Sequence, residues 1–398
     1  MATDHKKKIG VTTATIVGMN AMIGAGIFTL PAALGAYIGP AGIITTLFVA
    51  IAVWFLALSM ARLAYLFPQE GSFYTYASQW GGHTMGLISS SAYLIGLLIA
   101  MGLLTQMSGV YLHHFFPKIA INKLGLIALS ALIILNMCGI ALSQLGQYIL
   151  IACTVFPLFI ITLMCFAKAK LANLFPFAPY GYKNALLATR EVIFGFFGFE
   201  AAASLVPRMI NPQRNVPKAL TYSIVGVGII YLAFVTSLIL AVPIELFSNP
   251  KILVSEPLSL IFPHSKWLLE VVNFSILSAI LGTLHSMIWS SSALALTLSR
   301  LLKSKVGKKL VSSGIITHTT TVIFVGMAIL VSFLTFKNRQ FFSFTALFLI
   351  LAYSTSIITL LTIKNEWKSK QIFITLIGLF TALIIFLFAL DGVLKTIF

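Results

Sequence analysis

Charged residues, and acidic ones above all, are scarce in this 398-residue chain. Only 9% of the residues are charged, and nine Asp and Glu stand against 26 Lys and Arg. A soluble domain of ordinary composition carries about 25% charged residues. The shortage excludes a large soluble domain. Together with the 59% hydrophobic content, it predicts an integral membrane protein with little mass outside the bilayer.

Cysteine is also rare. Cys138, Cys153 and Cys165 lie in apolar runs without metal-ligand spacing, so we interpret them as small buried hydrophobic residues. No metal or cofactor is predicted. The formal net charge of +17 does not indicate a nucleic-acid partner, because the basic residues are scattered among short loops and no nucleic-acid-binding motif accompanies them.

Long apolar runs are what the chain has in abundance, each near or above the about 20 residues that a membrane-spanning helix needs. These runs predict about 11 transmembrane helices, at approximately 9–36, 41–66, 84–112, 124–142, 146–167, 189–210, 219–242, 267–299, 314–336, 341–363 and 372–390. Because no gap between the runs is long enough for a separate soluble domain, residues 1–398 are predicted to form a single transmembrane domain.

Basic residues in the loops predict the orientation of these helices. With the amino terminus inside, the inner loops hold three clusters of Lys and Arg, within 6–8, 300–309 and 364–370. An excess of basic residues marks cytoplasmic loops. We therefore expect a multi-pass protein of a cell membrane, such as the bacterial inner membrane, with a cytoplasmic amino terminus.

Glycines interrupt the first apolar run near its centre, where Gly24, Ala25 and Gly26 are followed by Pro31. Glycine costs about 1 kcal/mol relative to alanine inside a helix. Unpaired backbone groups in hydrocarbon cost several kcal/mol each, so such a break is tolerated only where it is buried in protein or lines a cavity. The break therefore predicts a binding site.

A second glycine pair, Gly195 and Gly198, interrupts the sixth run. The two breaks open two five-span halves, 9–167 and 189–363, with an extra span at 372–390. Because five is odd, the second half enters the bilayer from the opposite side, which is the inverted-repeat pattern of secondary transporters. Glycine is common in membrane helices, so one pair is compatible with coincidence. Two pairs favour an all-α, five-plus-five transporter with discontinuous helices 1 and 6.

The backbone at the two breaks fits the two charges of an α-amino acid. Amides at the start of the helix after Gly26 suit a carboxylate. Carbonyls near Met22 and Ile23, and near Phe194 and Phe197, are expected to lack helical partners and to accept from an ammonium or hold a cation. The predicted substrate-binding residues are Met22, Ile23, Gly24, Ala25, Gly26, Ile27, Phe194, Phe197 and Gly198.

Three motifs resemble those of the amino acid–polyamine–organocation (APC) permeases. Ile-Gly-Ala-Gly-Ile-Phe at 23–28 is similar to their first-helix motif. Phe-Pro-Gln-Glu-Gly-Ser-Phe-Tyr-Thr-Tyr at 67–76 is similar to their Pro-x-x-Gly-Gly-x-Tyr-x-Tyr loop. Gly-Phe-Glu at 198–200, with Asn-Pro-Gln-Arg-Asn-Val-Pro at 211–217, is similar to their sixth-helix signature. The resemblance implies a LeuT-like fold and secondary active transport of amino acids by alternating access.

The chain departs from the family pattern at several points. Ser72 stands where the second glycine is usual, and Arg62 where an acid is usual. Pro207 and Arg208 replace the acidic pair expected before Asn211, and a twelfth span is missing. These departures leave the subfamily open. They also keep open a degenerate, non-transporting sensor of the same fold.

Two ionisable residues within the spans are candidates for proton coupling. Glu200 lies in the sixth run and His285 in the eighth. Burying a charge at membrane depth is costly, and ionisable residues there often mark proton relays. For Glu200, proton coupling and a structural hydrogen bond are equally favoured; for His285, a structural role is favoured. Sodium coupling is less favoured than proton coupling, because hydroxyls in membrane helices, such as Ser278, Thr283 and Ser286 here, usually bond to backbone.

Phenylalanines crowd the second break, and no acid other than Glu200 is expected to meet a cationic side chain. The predicted substrate is therefore a neutral amino acid. An exchanger of basic amino acids or polyamines is the alternative in the same class. An intramembrane enzyme is not predicted, because neither His285 nor Glu200 has a neighbouring motif that supplies a nucleophile and base.

Overall fold

The computed structural model describes residues 8–24, 26–69, 71–247, 254–301, 313, 315–335, 338–364 and 367–397. The described residues are helical throughout their regular elements, and the only strand-like pairing among them is an isolated bridge between Ile9 and Met209. Ala25 lies outside the described residues, as do the basic residues of 6–7 and 303–309.

The α-helices follow one another with short connections. They are α1 (Val11–Met22), α2 (Gly26–Tyr37), α3 (Gly42–Leu66), α4 (Phe73–Phe115), α5 (Ile121–Met137), α6 (Ile140–Ala167), α7 (Ala185–Gly195), α8 (Pro212–Ala241), α9 (Ser255–Ile261), α10 (Lys266–Leu301), α11 (His318–Thr335), α12 (Asn338–Thr362) and α13 (Ser369–Ile397). A ten-residue 3-10 segment, Phe199–Arg208, lies between α7 and α8.

Eight of the described helices are long and apolar enough to cross a membrane. They are Gly39–Leu66, Phe73–Phe115, Leu142–Ala167, Pro212–Ala241, Trp267–Leu301, His318–Thr335, Ser343–Thr362 and Lys370–Asp391. Large apolar side chains such as Phe156, Phe324 and Leu334 are exposed on them, as expected for surfaces that face lipid. The chain is therefore a multi-pass membrane protein. The count of 11 spans stays a prediction, because α5 is shorter than this length and two predicted spans are broken helices.

The first broken helix lies inside the bundle. α1 packs against α6, α8 and α10 and against the 3-10 segment. Around this group, α12 packs along α4, and α3 packs along α8. The contacts place the first break, which follows Met22, among four other helical elements rather than against lipid.

A backbone pairing joins the start of the first broken helix to the end of the second. The amide of Ile9 donates to the carbonyl of Arg208 at 2.8 Å, and the amide of Ile210 donates to the carbonyl of Ile9 at 2.9 Å. Ile9 is only 1% exposed. The residue that precedes α1 is thereby hydrogen-bonded to the residues at the end of the 3-10 segment.

In the turn before α4, Ser72 stands where the motif that the sequence resembles has a glycine. Ser72 has φ 43° and ψ −109°, and Gly71 beside it has φ 108°. Residues with a Cβ rarely adopt positive φ, whereas glycine does so at little cost.

Another glycine with positive φ, Gly82, interrupts the helical conformation of α4 and separates its first turns from its long span.

Glycines allow α4 and α5 to approach closely. A Cβ built on Gly125 would lie 2.6 Å from the carbonyl oxygen of Thr105, and one on Gly109 would meet the carbonyl of Ile121. Small residues at such crossings let backbones pack against each other where the hydrophobic effect does not drive helix association.

We expect Gly125→Val to destabilise the protein by about 1–3 kcal/mol, because α4 and α5 must separate to admit the side chain. Thermal unfolding of the purified protein in detergent measures the effect. Gly10→Ala is the control, because no atom lies within 4 Å of a Cβ built at Gly10. Equal melting temperatures for the Gly125→Val and Gly10→Ala proteins would contradict this account of the crossing.

Candidate functional site

The first break lies where the glycines predict it. α1 ends at Met22, and Ile23 leaves the helix with φ −77° and ψ 79°. The amide of Gly24 then donates to the carbonyl of Met22 at 2.8 Å. This i→i+2 bond, with these angles at Ile23, forms an inverse γ-turn. A new helix, α2, begins at Gly26.

The second break has a left-handed residue at its centre. α7 ends at Gly195, and Gly198 has φ 112° and ψ −12° at the start of the 3-10 segment. A Cβ built on Gly198 would lie 2.5 Å from the carbonyl oxygen of Ala21. Both the dihedral angle and the approach of α1 therefore require glycine here.

The two breaks meet. A Cβ built on Gly26 would lie 3.6 Å from the Cα of Gly195. The hydroxyl of Tyr231, on α8, lies 2.8 Å from the carbonyl oxygen of Met22 and 2.9 Å from that of Gly195, and it donates to both. The ends of α1 and α7 are thus held by one side chain.

This geometry corrects the expectation that the carbonyl of Met22 lacks a partner. That oxygen accepts from the amide of Gly24 and from the hydroxyl of Tyr231. The carbonyl of Phe194 accepts from the amide of Phe197 at 3.3 Å. The expectation was wrong because the turn itself and a helix distant in sequence supply hydrogen-bond donors. The glycine pattern of the break does not predict these donors.

A cavity lies between the two breaks. Apolar and small residues form most of its wall. The lining residues are Ala21, Met22, Gly24, Gly26, Ala100, Leu103, Leu104, Met107, Glu191, Phe194, Gly195, Phe197, Thr283, Met287, Thr345 and Leu349.

Five of the predicted substrate-binding residues line this cavity: Met22, Gly24, Gly26, Phe194 and Phe197. Three others do not. The side chains of Ile23 and Ile27 are buried in the core, and Gly198 packs against the backbone of Ala21. Ala25 lies outside the described residues.

Glu191 is the acidic residue of the cavity wall. The expectation that no acid other than Glu200 is placed to meet a cationic side chain is therefore wrong. Glu191 lies on α7, three residues before Phe194 and four before Gly195, so all three share one face of the helix. The spacing was visible in the sequence, but Glu191 lies near one end of the apolar run, where a carboxylate resembles one at an ordinary helix terminus.

Glu200 lies behind the second break and does not line the cavity. Its side chain is fully buried, and its Oε2 atom accepts from the amide of Gly198 at 3.2 Å. The hydroxyls of Tyr93 and Tyr353 lie beside the carboxyl group. Within the described residues, neither hydroxyl nor the Oε1 atom of Glu200 makes a hydrogen bond of regular geometry.

His285 is buried between α5, α6 and α10, away from the cavity lining. Its Nε2 atom lies 3.0 Å from the carbonyl oxygen of Ser143, to which it can only donate. Its Nδ1 atom lies 2.8 Å from the side-chain amide nitrogen of Asn136, from which it accepts. Both ring nitrogens are thus occupied in a neutral imidazole, which fits the structural role favoured from the sequence.

Hydroxyls of α10 lie beside the last turn of α1, just before the first break. Thr283 donates to the carbonyl of Asn20 at 2.7 Å, and Ser286 donates to Oε1 of Gln147 at 2.8 Å. The side-chain amide of Asn20 donates to the same Oε1 atom at 2.7 Å. Sequence patterns did not predict the contacts of Asn20 and Gln147, because a single side-chain amide inside an apolar run belongs to no recognisable motif.

Comparison with known proteins agrees with this architecture. The amino acid permease family model matches residues 9–394. The chain belongs to the amino acid permease family. The match includes both breaks and the cavity between them, and it confirms the family resemblance found in the three sequence motifs.

Individual relatives of this permease are distant. The branched-chain amino acid permease BcaP of Bacillus subtilis is 23% identical over 74% of the chain and 67% of its own length. The gamma-aminobutyric acid permease of Escherichia coli is 23% identical over 72% and 64%, respectively. The methylthioribose transporter of Bacillus subtilis is 26% identical over 55% and 52%. The chain thus spans between about half and two thirds of the length of these relatives.

We expect Gly26→Val to weaken substrate binding at least about tenfold, or about 1.4 kcal/mol, because the branched side chain enters the space between Gly26 and Gly195. Equilibrium binding to the purified permease measures the loss. Gly26→Ala is the control and should lose less, because its Cβ stays 3.6 Å from the Cα of Gly195. Wild-type affinity in the valine variant would place the substrate elsewhere.

Proposed function

We propose that this permease is a secondary active transporter that moves amino acids by alternating access through the cavity between the two breaks. The observation that carries the proposal is the meeting of two broken helices at one cavity, with Gly26 against Gly195. Irregular backbone at membrane depth is characteristic of transporter binding sites.

The start of α2 offers a place for the substrate carboxylate. The first amides of a helix have no partner within that helix, and the helix dipole adds positive potential there. Gly26 is the first residue of α2 and lines the cavity. The C-terminal ends of α1 and α7 also reach the cavity through Met22 and Gly195, and their negative dipole ends favour the substrate ammonium.

The transport cycle rests on two inverted halves, 9–167 and 189–363, with 372–390 as an additional span. Each half opens with a broken helix, α1–α2 in the first and α7 with the 3-10 segment in the second. In such transporters one half rocks against the other around a fixed site. The amino terminus faces the cytoplasm in this arrangement.

We expect Glu200 to couple transport to protons, because an acid buried beside Tyr93 and Tyr353 gains or loses a charge at high cost unless its surroundings change. Glu200→Gln should flatten the dependence of uptake on pH and abolish uptake driven by a proton gradient in proteoliposomes. Glu270→Gln is the control, since Glu270 is 60% exposed.

The same proteoliposomes separate protons from sodium. Proton and sodium gradients are imposed one at a time on the wild type and on both variants. An unchanged pH profile in Glu200→Gln would remove Glu200 from the coupling path. Uptake driven by a sodium gradient alone would show that transport is coupled to sodium and not to protons.

The cavity wall favours a neutral substrate with an apolar side chain. Leu103, Leu104, Met107 and Leu349 line the cavity with Phe197, and burial of apolar substrate surface against them is favourable. The permease BcaP, named for branched-chain amino acids, is one of the relatives.

Glu191 supports a second candidate, the exchange of basic amino acids or polyamines. A carboxylate in the wall of a largely apolar cavity suits a substrate that carries an additional amine, because a charged hydrogen bond contributes about 1.5–3 kcal/mol. The two candidates therefore differ in the contribution of Glu191 to substrate affinity, which is small for a neutral substrate and large for a basic one.

Uptake of a panel of labelled neutral and basic amino acids by reconstituted vesicles tests both candidates. For a neutral substrate, we expect Glu191→Gln to change KM less than about twofold. For a basic substrate, we expect it to raise KM about tenfold or more. Glu245→Gln is the control, because Glu245 is exposed and does not line the cavity. Failure to take up any amino acid would favour the non-transporting sensor.

A further inference from the structure

Residues 168–182, which lead from α6 toward α7 and are called the α6–α7 segment below, carry the most exposed apolar side chains among the described residues. Phe175, Leu171 and Tyr182 are 77%, 75% and 70% exposed, more than any other large apolar side chain in this part of the chain. Such exposure is ordinary on a helix that faces lipid, but this segment lies outside the membrane-spanning helices. Large apolar side chains concentrated in one connection indicate a contact surface.

Hydrogen bonds place the first part of the segment level with the ends of two spanning helices. The backbone amide of Lys170 and the side-chain amide of Asn173 both donate to the carbonyl of Leu240, at 2.9 Å and 2.7 Å. Leu240 is the penultimate residue of α8, and the segment itself begins directly after α6, which ends at Ala167. The segment therefore starts at the level where two spans leave the membrane.

The later part of the segment is held at the start of another spanning helix. The amide of Ala41, the residue directly before α3, donates to the carbonyl of Phe177 at 2.8 Å. A Cβ built on Gly39 would lie 2.6 Å from the Cδ atom of Pro179, so the two backbones approach closely there. The segment thus runs along one end of the bundle, from the end of α8 to the start of α3, instead of projecting away from it.

The segment has two chemically different sides. Leu174 and Phe177 pack against the hydrophobic core, whereas Leu171 and Phe175 are exposed. Lys168 and Lys170 are exposed beside them in the chain. Apolar and aromatic side chains at the membrane boundary enter the zone between headgroups and acyl chains, and nearby lysines are attracted to anionic headgroups. Lipid therefore fits the exposed side of the segment in both shape and charge.

We propose that the α6–α7 segment binds the lipid of the leaflet at this end of the bundle. Leu171, Phe175 and Tyr182 enter the boundary between headgroups and acyl chains, and Lys168 and Lys170 contact anionic headgroups. The surface is separate from the cavity, so its lipid contact does not depend on which substrate the permease carries. Because the segment is hydrogen-bonded to the end of α8 and to the residue before α3, the lipid contact holds those helix ends at the membrane boundary.

The first experiment introduces tryptophan as a probe of lipid contact. Leu171→Trp and Phe175→Trp are compared with the wild type in vesicles, and the five native tryptophans supply the baseline emission. His264→Trp is the matched control, because His264 is also exposed in a connection and lies in the polar stretch Pro-His-Ser at 263–265. The quenchers are phosphatidylcholine brominated on its acyl chains and aqueous acrylamide. Size-exclusion chromatography and thermal unfolding establish that each variant is folded.

We expect the added probes in Leu171→Trp and Phe175→Trp to lie about 5–10 Å into the boundary between headgroups and acyl chains. Brominated lipid should quench at least about half of their added emission, and acrylamide should quench it at least about threefold less than the added emission of His264→Trp. The control should show the reverse order, because its probe is in water. Both test positions are exposed, so the larger side chain requires no rearrangement of the core.

The second experiment tests the lysines. Brominated phosphatidylglycerol, which is anionic, or brominated phosphatidylcholine is added as a minor component to vesicles of unbrominated phosphatidylcholine. For Phe175→Trp, the anionic lipid should quench at least about twofold more than the neutral lipid at the same fraction. Lys168→Gln combined with Lys170→Gln should remove this difference and leave the quenching by neutral lipid unchanged.

Three results would overturn the proposal. The first is quenching of both probes by acrylamide to the extent seen in His264→Trp, without quenching by lipid, which would place the segment in water. The second is protection from both quenchers in a particle of about twice the mass, which would place a second copy of the chain on this surface. The third is equal quenching by anionic and neutral lipid with both lysines present. Each tryptophan variant decides alone, and none of the measurements requires transport.

Discussion

The constraint on which this structure depends is that backbone groups released by a broken helix must find partners away from water. At the first break, the carbonyl of Met22 is satisfied by Gly24 and Tyr231, and that of Asn20 by Thr283. At the second break, the carbonyl of Gly195 is satisfied by Tyr231. Each partner comes from the turn itself or from a helix packed against it, so the breaks determine how α8 and α10 must pack.

Much of the architecture was predictable from the sequence because it depends on composition and on glycine. Long apolar runs predict the long helices, and Gly24, Gly26, Gly195 and Gly198 predict the places where two of them break. Glycine is a local signal, since a positive φ or a close backbone approach excludes other residues at that position. Ser72 shows the limit of such signals, because it adopts a positive φ without being glycine.

The site was only partly predictable, because its polar partners come from distant parts of the chain. Tyr231 is 36 residues from Gly195 and 209 from Met22, and nothing in its neighbourhood on α8 marks it. Glu191 had a local signal in its helical spacing from Phe194, but a single carboxylate near the end of an apolar run resembles an ordinary helix terminus. Side-chain contacts between separate helices depend on crossing geometry, which sequence periodicity does not contain.

The backbone pairing of Ile9 with Arg208 and Ile210 has a practical consequence for spectroscopy. Two hydrogen bonds join the segments that enter α1 and leave the 3-10 segment, so spin labels at Gly10 and Asn211 should keep a constant separation while the rest of the bundle rearranges. The distance between the two labels then serves as a fixed reference within the protein. Distances from either label to α4 or α12 then report the motion of the surrounding helices rather than movement of the reference point.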